Sequence, residues 1–324
     1  MNNLKKIGLS ALAGSLVATS AFAGAVSVSG GASMNVEHTN GGAENAGKTF
    51  SMGNQLTFTG GGELDNGLNV SISFIIDEFN GDTANTDGAA DGSIFDNHSV
   101  SVGNDMFGTL TLHGEGGSSA QKAIDTTAAG DIWDNFDGHG TADNTVSTSA
   151  AGNNLLSYKL PALVDGVDIT ASYLAASTGT TSSTAFGVSY TGIEGLTVNA
   201  ARGEGNTPGV TIEATTYNIN YAYGPVTVGY SKNDYDHTTA TSDQETTSWK
   251  VSYTVSDELS ISYGTEEIDQ TGDAEKAEYS SISASYTAGG MTISAARQTG
   301  DNIDGTTTAT KDQERWALGA SFAF

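Results

Sequence analysis

The sequence predicts an all-β fold: a 16-stranded antiparallel up-and-down transmembrane β-barrel with short periplasmic turns, long outer loops and a long third loop. Three observations predict it. Apolar and small polar residues alternate with period two in run after run, as in strands with two unlike faces. Tight reversals take turns with long polar connections, so one rim of the sheet is short and the other long. Aromatic residues gather at both ends of the apolar phase, where a membrane–water interface favours them.

The elements follow in order. Residues 1–23 place Lys5 and Lys6 before a short apolar run that ends at Ala21-Phe22-Ala23, which reads as a cleaved signal peptide. The remainder, 24–324, is a single barrel. VSVSGGASMNV opens it, and LNVSISFII then sets Leu68, Val70, Ile72, Phe74 and Ile76 in one phase against Asn69, Ser71 and Ser73 in the other. VDITASY (167–173), YNINYAY (217–223), WKVSYTV (249–255) and MTISA (291–295) repeat the pattern, with β-branched and aromatic residues in the apolar phase. Turns at 64–67, 103–108, 161–166, 191–195, 223–225, 256–258 and 288–290 carry the Asn-Gly, Asp-Gly, Gly-Gly or Pro signals of reversals and join fourteen strands. The first run and the last, RWALGASFAF, make sixteen. Longer polar segments at 38–48, 78–95, 116–150, 177–183, 205–213, 236–244, 269–277 and 300–311 form the opposite rim. Tyr190, Tyr221, Tyr253 and Tyr286, spaced by 31, 32 and 33 residues, mark the hairpin period. Hence SYTGIEGLTVNAARGEG returns as SYTAGGMTISAARQTG: each is one hairpin of a ring.

Composition narrows the class. The chain has 12 Lys and Arg against 38 Asp and Glu, a net charge of −26. Loss of Lys5 and Lys6 leaves 10 against 38, or −28. Duplex nucleic acid is excluded as a partner, because phosphate contacts need clustered cations. The absence of cysteine rules out a disulfide framework for an exported chain. The polar phase is Ser, Thr, Asn and Gly, whereas the exterior of a soluble sandwich would carry Lys and Glu; small hydroxyls suit the wall of a wet lumen. In hydrocarbon an unpaired strand edge would cost several kcal/mol per exposed backbone group, so the first and last strands must pair.

Together the signal peptide, the sixteen strands, the terminal Phe324 and the segment GNDMFGTLTLHGEG (103–116) resemble the Gram-negative general diffusion porins. The resemblance covers the whole exported chain as architecture, but only residues 103–116 and 315–324 as motif. It implies passive diffusion of small hydrophilic solutes and ions across the Gram-negative outer membrane, usually by a homotrimer. It also implies recognition of the C-terminal strand by the barrel-assembly machinery, and a third loop, 116–150, folded inward as a constriction. That loop departs from any fixed eyelet motif. The alternative is a non-conducting outer-membrane surface protein, an adhesin or structural barrel whose loops do the work.

The third loop carries Asp125, Asp131, Asp134, Asp137 and Asp143 against Lys122, with Trp133 and Phe136 in the run IWDNF. A solvated loop outside the barrel would account for the charge, but an apolar knot needs a surface to pack on, which favours insertion as an acidic constriction. Parity puts Lys159, Lys250 and Arg315 on the inward face, together with Glu37, His113 and Glu115. Arg202, Lys232 and Arg297 fall on the outward face at outer strand ends, as candidates for lipopolysaccharide phosphates at the rim. Snorkelling or solvation is the plain alternative for each. So few cations predict cation preference. Nucleophile elbows, zinc helices and phosphate loops are missing, and the five histidines lack ligand spacing, so no catalytic residue, metal site or cofactor is expected. Near-misses of a calcium loop at DGAADG (87–92) and GDNIDG (300–305) leave a structural, loop-bound Ca²⁺ open.

Overall fold

Sixteen strands pair in one closed antiparallel ring, each with its neighbours in sequence and the last with the first. The computed structural model describes residues 26–41, 47–77, 96–136, 152–176, 182–207, 210–238, 243–307 and 312–324. The signal-peptide segment 1–23, Asp137, Asp143 and DGAADG lie outside the described residues. In chain order the strands are β1 (Val26–Gly41), β2 (Gly47–Glu63), β3 (Asn69–Asp77), β4 (Asn97–Asn104), β5 (Gly108–Glu115), β6 (Leu155–Lys159), β7 (Val167–Leu174) and β8 (Ser183–Ile193). They continue as β9 (Leu196–Thr207), β10 (Val210–Tyr223), β11 (Val226–His237), β12 (Gln244–Thr254), β13 (Leu259–Gln270), β14 (Ala277–Ala288), β15 (Met291–Asp301) and β16 (Gln313–Ala323).

The alternation read from sequence becomes the two faces of this wall. Val28, Met52, Ile72, Leu112, Val228, Ile261 and Leu318 are exposed on the outside, as are Tyr173, Tyr221, Tyr230, Tyr253, Tyr263 and Tyr286. The apolar residues therefore do not pack against one another as they would in a sandwich. The buried apolar cluster lies elsewhere: Ile132 and Phe136 from the third loop, Ile268 of β13, Ala277 and Tyr279 of β14, and Ile303 of the last loop.

All seven turns fall between the strands they were expected to join. Gly67, Gly108, Gly166, Gly195, Gly224 and Gly289 take positive φ there, which a Cβ would penalise. The opposite rim differs from expectation. Segments 38–48 and 205–213 are largely strand, since β1 reaches Gly41, β2 starts at Gly47, and β9 and β10 are separated by two residues. The ends of β1, β2 and β9 are polar or glycine in both phases, and at the start of β10 Val210 and Ile212 fall in the phase opposite to Tyr217 and Ile219, so the outward apolar alternation does not extend to them. GDNIDG forms a short 3-10 turn, Ile303–Gly305, with Ile303 buried in the apolar cluster.

Candidate functional site

The segment after β5 turns into the barrel and lies along its inner wall. Gly116 takes φ 66°, and Gly117 bridges Gly152 on the return path. From there side chains of successive strands hold the loop backbone. Ser172 Oγ on β7 accepts from Ala120 N at 2.9 Å, Ser231 Oγ on β11 from Ala128 N at 2.8 Å, and Ser248 Oγ on β12 from Ala129 N at 3.0 Å. In return, Gln121 Nε2 donates to Thr216 Oγ1 on β10 at 2.8 Å, and Asn233 Nδ2 on β11 donates to the Asp125 carbonyl at 2.8 Å. Gly187, Gly229 and Gly264 keep the track low: a Cβ on them would meet Ala120 O at 2.9 Å, Ala128 Cβ at 3.4 Å and Ala129 Cβ at 2.8 Å. The small polar phase thus has a second use besides facing water. It is a bed for a loop recognised by its backbone.

Glu266 of β13 ends the track. It is 2% exposed; its Oε1 accepts from the Thr127 hydroxyl and its Oε2 from Trp133 N at 3.0 Å. Asp131 closes the same turn: its Oδ1 accepts from Thr127 N at 2.9 Å, while its own N donates to Thr127 Oγ1 at 2.7 Å. The IWDNF run then seats Ile132 and Phe136 on Ile268, Ala277 and Tyr279, the Phe136 and Tyr279 rings lying 5.6 Å apart. Sequence reasoning passed over Glu266 and this apolar seat. The signal was there: in the otherwise small polar inward phase of β13 and β14, Glu266, Ile268 and Tyr279 are misfits.

Of the expected constriction residues, Asp125 and Asp131 are partly buried on the docked loop, Asp134 is exposed, and Asp137 lies outside the described residues. Lys250 sits on β12 between Gly229 and Gly264, the two residues beneath Ala128 and Ala129, and forms no ion pair among the described residues. Lys159 and Arg315 are engaged elsewhere. Lys159 Nζ lies 3.0 Å from Asp168, beside the 160–166 turn at the short rim. Arg315 is clamped on Glu37 across the β1–β16 seam, with Nε at 3.1 Å from Oε2, and its Nη1 donates to Gln298 Oε1 at 2.6 Å. His113 Nε2 is 3.2 Å from Ser157 Oγ. A register shift between His98 and Ser99 sets Glu115 opposite His98, 3.9 Å away, so strict alternation with His113 fails at this bulge.

The three rim candidates are each paired with carboxylate. Arg202 of β9 holds Glu213 of β10; Lys232 of β11 lies 2.8 Å from Glu245 of β12 and 3.1 Å from Asp234; Arg297 of β15 bonds Glu314 of β16 at 2.6 Å. Lys276, after β13, adds a fourth pairing with Glu267 and Asp269, and these hydrogen bonds push its ammonium above the ordinary lysine range. One cation therefore braces each of the four C-terminal outer hairpins. No group of three or more His, Asp or Glu arranged to hold a metal occurs among the described residues.

A family model described as Gram-negative porin matches residues 8–286 of the chain. A search of curated protein sequences finds no significant match. Among solved structures, the fold is similar to an anion-selective porin from Comamonas acidovorans, with TM-score 0.68 and 17% identity over 93% of this chain and 99% of that one. It is similar to the trimer form of OmpT, an outer membrane protein of Vibrio cholerae, with TM-score 0.68 and 16% identity over 93% and 100%. It is also similar to a mutant of the Rhodopseudomonas blastica porin, with TM-score 0.66 and 15% identity over 92% and 100%.

Proposed function

The chain belongs to the Gram-negative porin family, and from that premise we propose that it is a cation-preferring diffusion channel whose constriction is the docked third loop. It is an outer-membrane porin, a channel rather than an enzyme. The observation that carries the finer reading is the loop across the inner wall of β7–β14, where Asp125, Asp131 and Asp134 stand against Lys122 and Lys250, while Lys159 and Arg315 are already matched by carboxylates. A ring of sixteen strands is too wide for small side chains to fill, so an inward loop must set the exclusion limit. Fixed carboxylates along that path raise the local concentration of cations and repel anions. Small hydrophilic solutes and ions pass by diffusion without a cofactor, and the chain works as an exported homotrimer.

Anion selectivity is a property of the Comamonas porin; at 17% identity only the fold is common ground. Purified protein in a planar bilayer under a potassium chloride gradient tests the proposal. Stepwise ohmic conductance with a reversal potential of cation-selective sign is expected. A reversal potential of anion-selective sign would overturn the acidic constriction, and a silent bilayer would overturn the channel itself.

A further inference from the structure

The ion pairs of the barrel differ in how far a solute could reach them. Those of Arg202, Lys232 and Arg297 stand on the outward phase at the long rim, among further carboxylates at Glu204, Asp236, Glu278 and Asp301. Arg315 and Glu37 face inward but are sealed into the β1–β16 seam, with the arginine side chain 14% exposed. Lys159 and Asp168 are neither outward nor sealed. They share the inward phase of β6 and β7, where Lys159 faces Thr170 and Asp168 stands two residues nearer the turn, and their side chains are 54% and 53% exposed. An exposed pair of this kind adds little to stability, so both charges remain available to a passing solute.

The pair borders a recess of about 470 Å³ in the inner wall at the short rim. Two glycines shape it. Gly103 and Gly108 are buried where the β4–β5 hairpin closes: a Cβ on Gly103 would collide with the Gly108 carbonyl, and one on Gly108 with the Lys159 carbonyl and with Pro161 N. The backbone of 159–161 therefore packs directly on the hairpin end. Asn69, Ser71, Ser101 and Thr109 line the hollow beside it with amide and hydroxyl groups, and the 160–162 segment gives it an apolar edge. Among the described residues, Asn69, Ser71 and Thr109 make no side-chain hydrogen bond to the rest of the protein, so their donors and acceptors face the recess unspent. Its volume falls within the about 300–1,000 Å³ of small-molecule sites.

We propose that this recess is a solute subsite and that its ligand class is the small zwitterion whose ammonium and carboxylate are separated by a single carbon, as in a free α-amino acid. The inference rests on the channel reading, since the recess opens into the lumen. Lys159 takes the carboxylate and Asp168 the ammonium, so the charges of the solute run antiparallel to those of the pair, 3.0 Å apart, and all four are balanced. A plain cation gains from Asp168 but is opposed by Lys159 beside it, and a plain anion meets the reverse. The amide and hydroxyl lining serves a polar side chain, and the 160–162 edge serves its carbons. A zwitterion carries no net charge, so the acidic loop that repels anions does not bar its way.

Uptake of labelled serine into proteoliposomes tests the subsite, with erythritol as an uncharged solute of similar size and potassium conductance steps in a planar bilayer to show that each protein forms a channel. Initial serine uptake should level off as its concentration rises, while erythritol uptake should stay proportional to concentration. Lys159→Met and Asp168→Asn should each raise the half-saturating serine concentration several-fold. The exchange variant, Lys159→Asp with Asp168→Lys, should keep saturation, because a zwitterion can reverse its direction. Serine uptake proportional to concentration in a conducting protein would overturn the subsite and leave the channel standing. Saturation unaltered in both single variants would overturn its assignment to this pair, and loss of saturation in a conducting exchange variant would overturn the antiparallel match. Equal saturation by erythritol would overturn the zwitterion class. A silent bilayer with the unaltered protein would overturn the channel and the subsite with it.

Discussion

Glu266 shows how much one side chain decides about the lumen. A carboxylate 2% exposed is costly to bury unless its oxygens are matched, and Thr127 and Trp133 N match them. Glu266→Leu would leave two loop donors without acceptors, at about 1–3 kcal/mol each. The loop should then leave its bed, raising single-channel conductance, whereas Glu266→Gln, which keeps an acceptor, should stay closer to the unaltered channel. Equal conductance in all three proteins would show that the apolar seat of Ile132 and Phe136 suffices. The acidic loop and its aromatic knot were visible in the sequence, because charge and apolar clustering are local. The bed was not visible, because Ser172, Ser231 and Ser248 look the same whether a serine faces water or a loop amide.

At the scale of elements, the seam between β1 and β16 is where the ring closes. Gly30 and Phe324 exchange backbone hydrogen bonds of 2.7 and 3.0 Å, and a Cβ on Gly30 would come within 2.6 Å of the terminal ring. Arg315 and Glu37 clamp the same seam further along its inner face. Gly30→Val should unseat Phe324, and because that ring is 73% exposed and can swing aside the cost should fall at or below about 1 kcal/mol, the lower end of the range for overpacking a closed core. The expected outcome is a lower temperature for loss of the compact, fast-migrating barrel in unheated detergent gels. An unchanged temperature would mean that the terminal ring lies elsewhere. Strands and turns were legible because alternation and positive-φ residues are written in consecutive positions. The outer ends of β1, β2, β9 and β10 were not, since beyond the apolar band β1, β2 and β9 are polar or glycine in both phases and β10 inverts its phase at Val210 and Ile212. The bulge at Glu115 was hidden for a related reason: parity counts residues, and a bulge adds one.

For the whole molecule, the question is which charges govern selectivity, those on the loop or the surplus carboxylates at the outer rim. The two respond differently to salt. Rim groups such as Glu278 and Asp301 act on ions approaching through open solution, where the Debye length falls from about 10 Å at 0.1 M to about 3 Å at 1 M salt. Asp125, Asp131 and Asp134 would act on ions already within the narrowed path, where separation is a few ångströms and screening is weaker. Joint Asp125→Asn, Asp131→Asn and Asp134→Asn replacement should therefore move the reversal potential towards the bulk-mobility value at both ionic strengths. Joint Glu278→Gln and Asp301→Asn replacement should lower selectivity in dilute salt alone. The reversed pattern, with the loop variant altered only in dilute salt and the rim variant altered in both, would move the selectivity filter from the loop to the outer mouth. It would also remove the need for a docked loop to explain cation preference in a chain with so large a surplus of carboxylates.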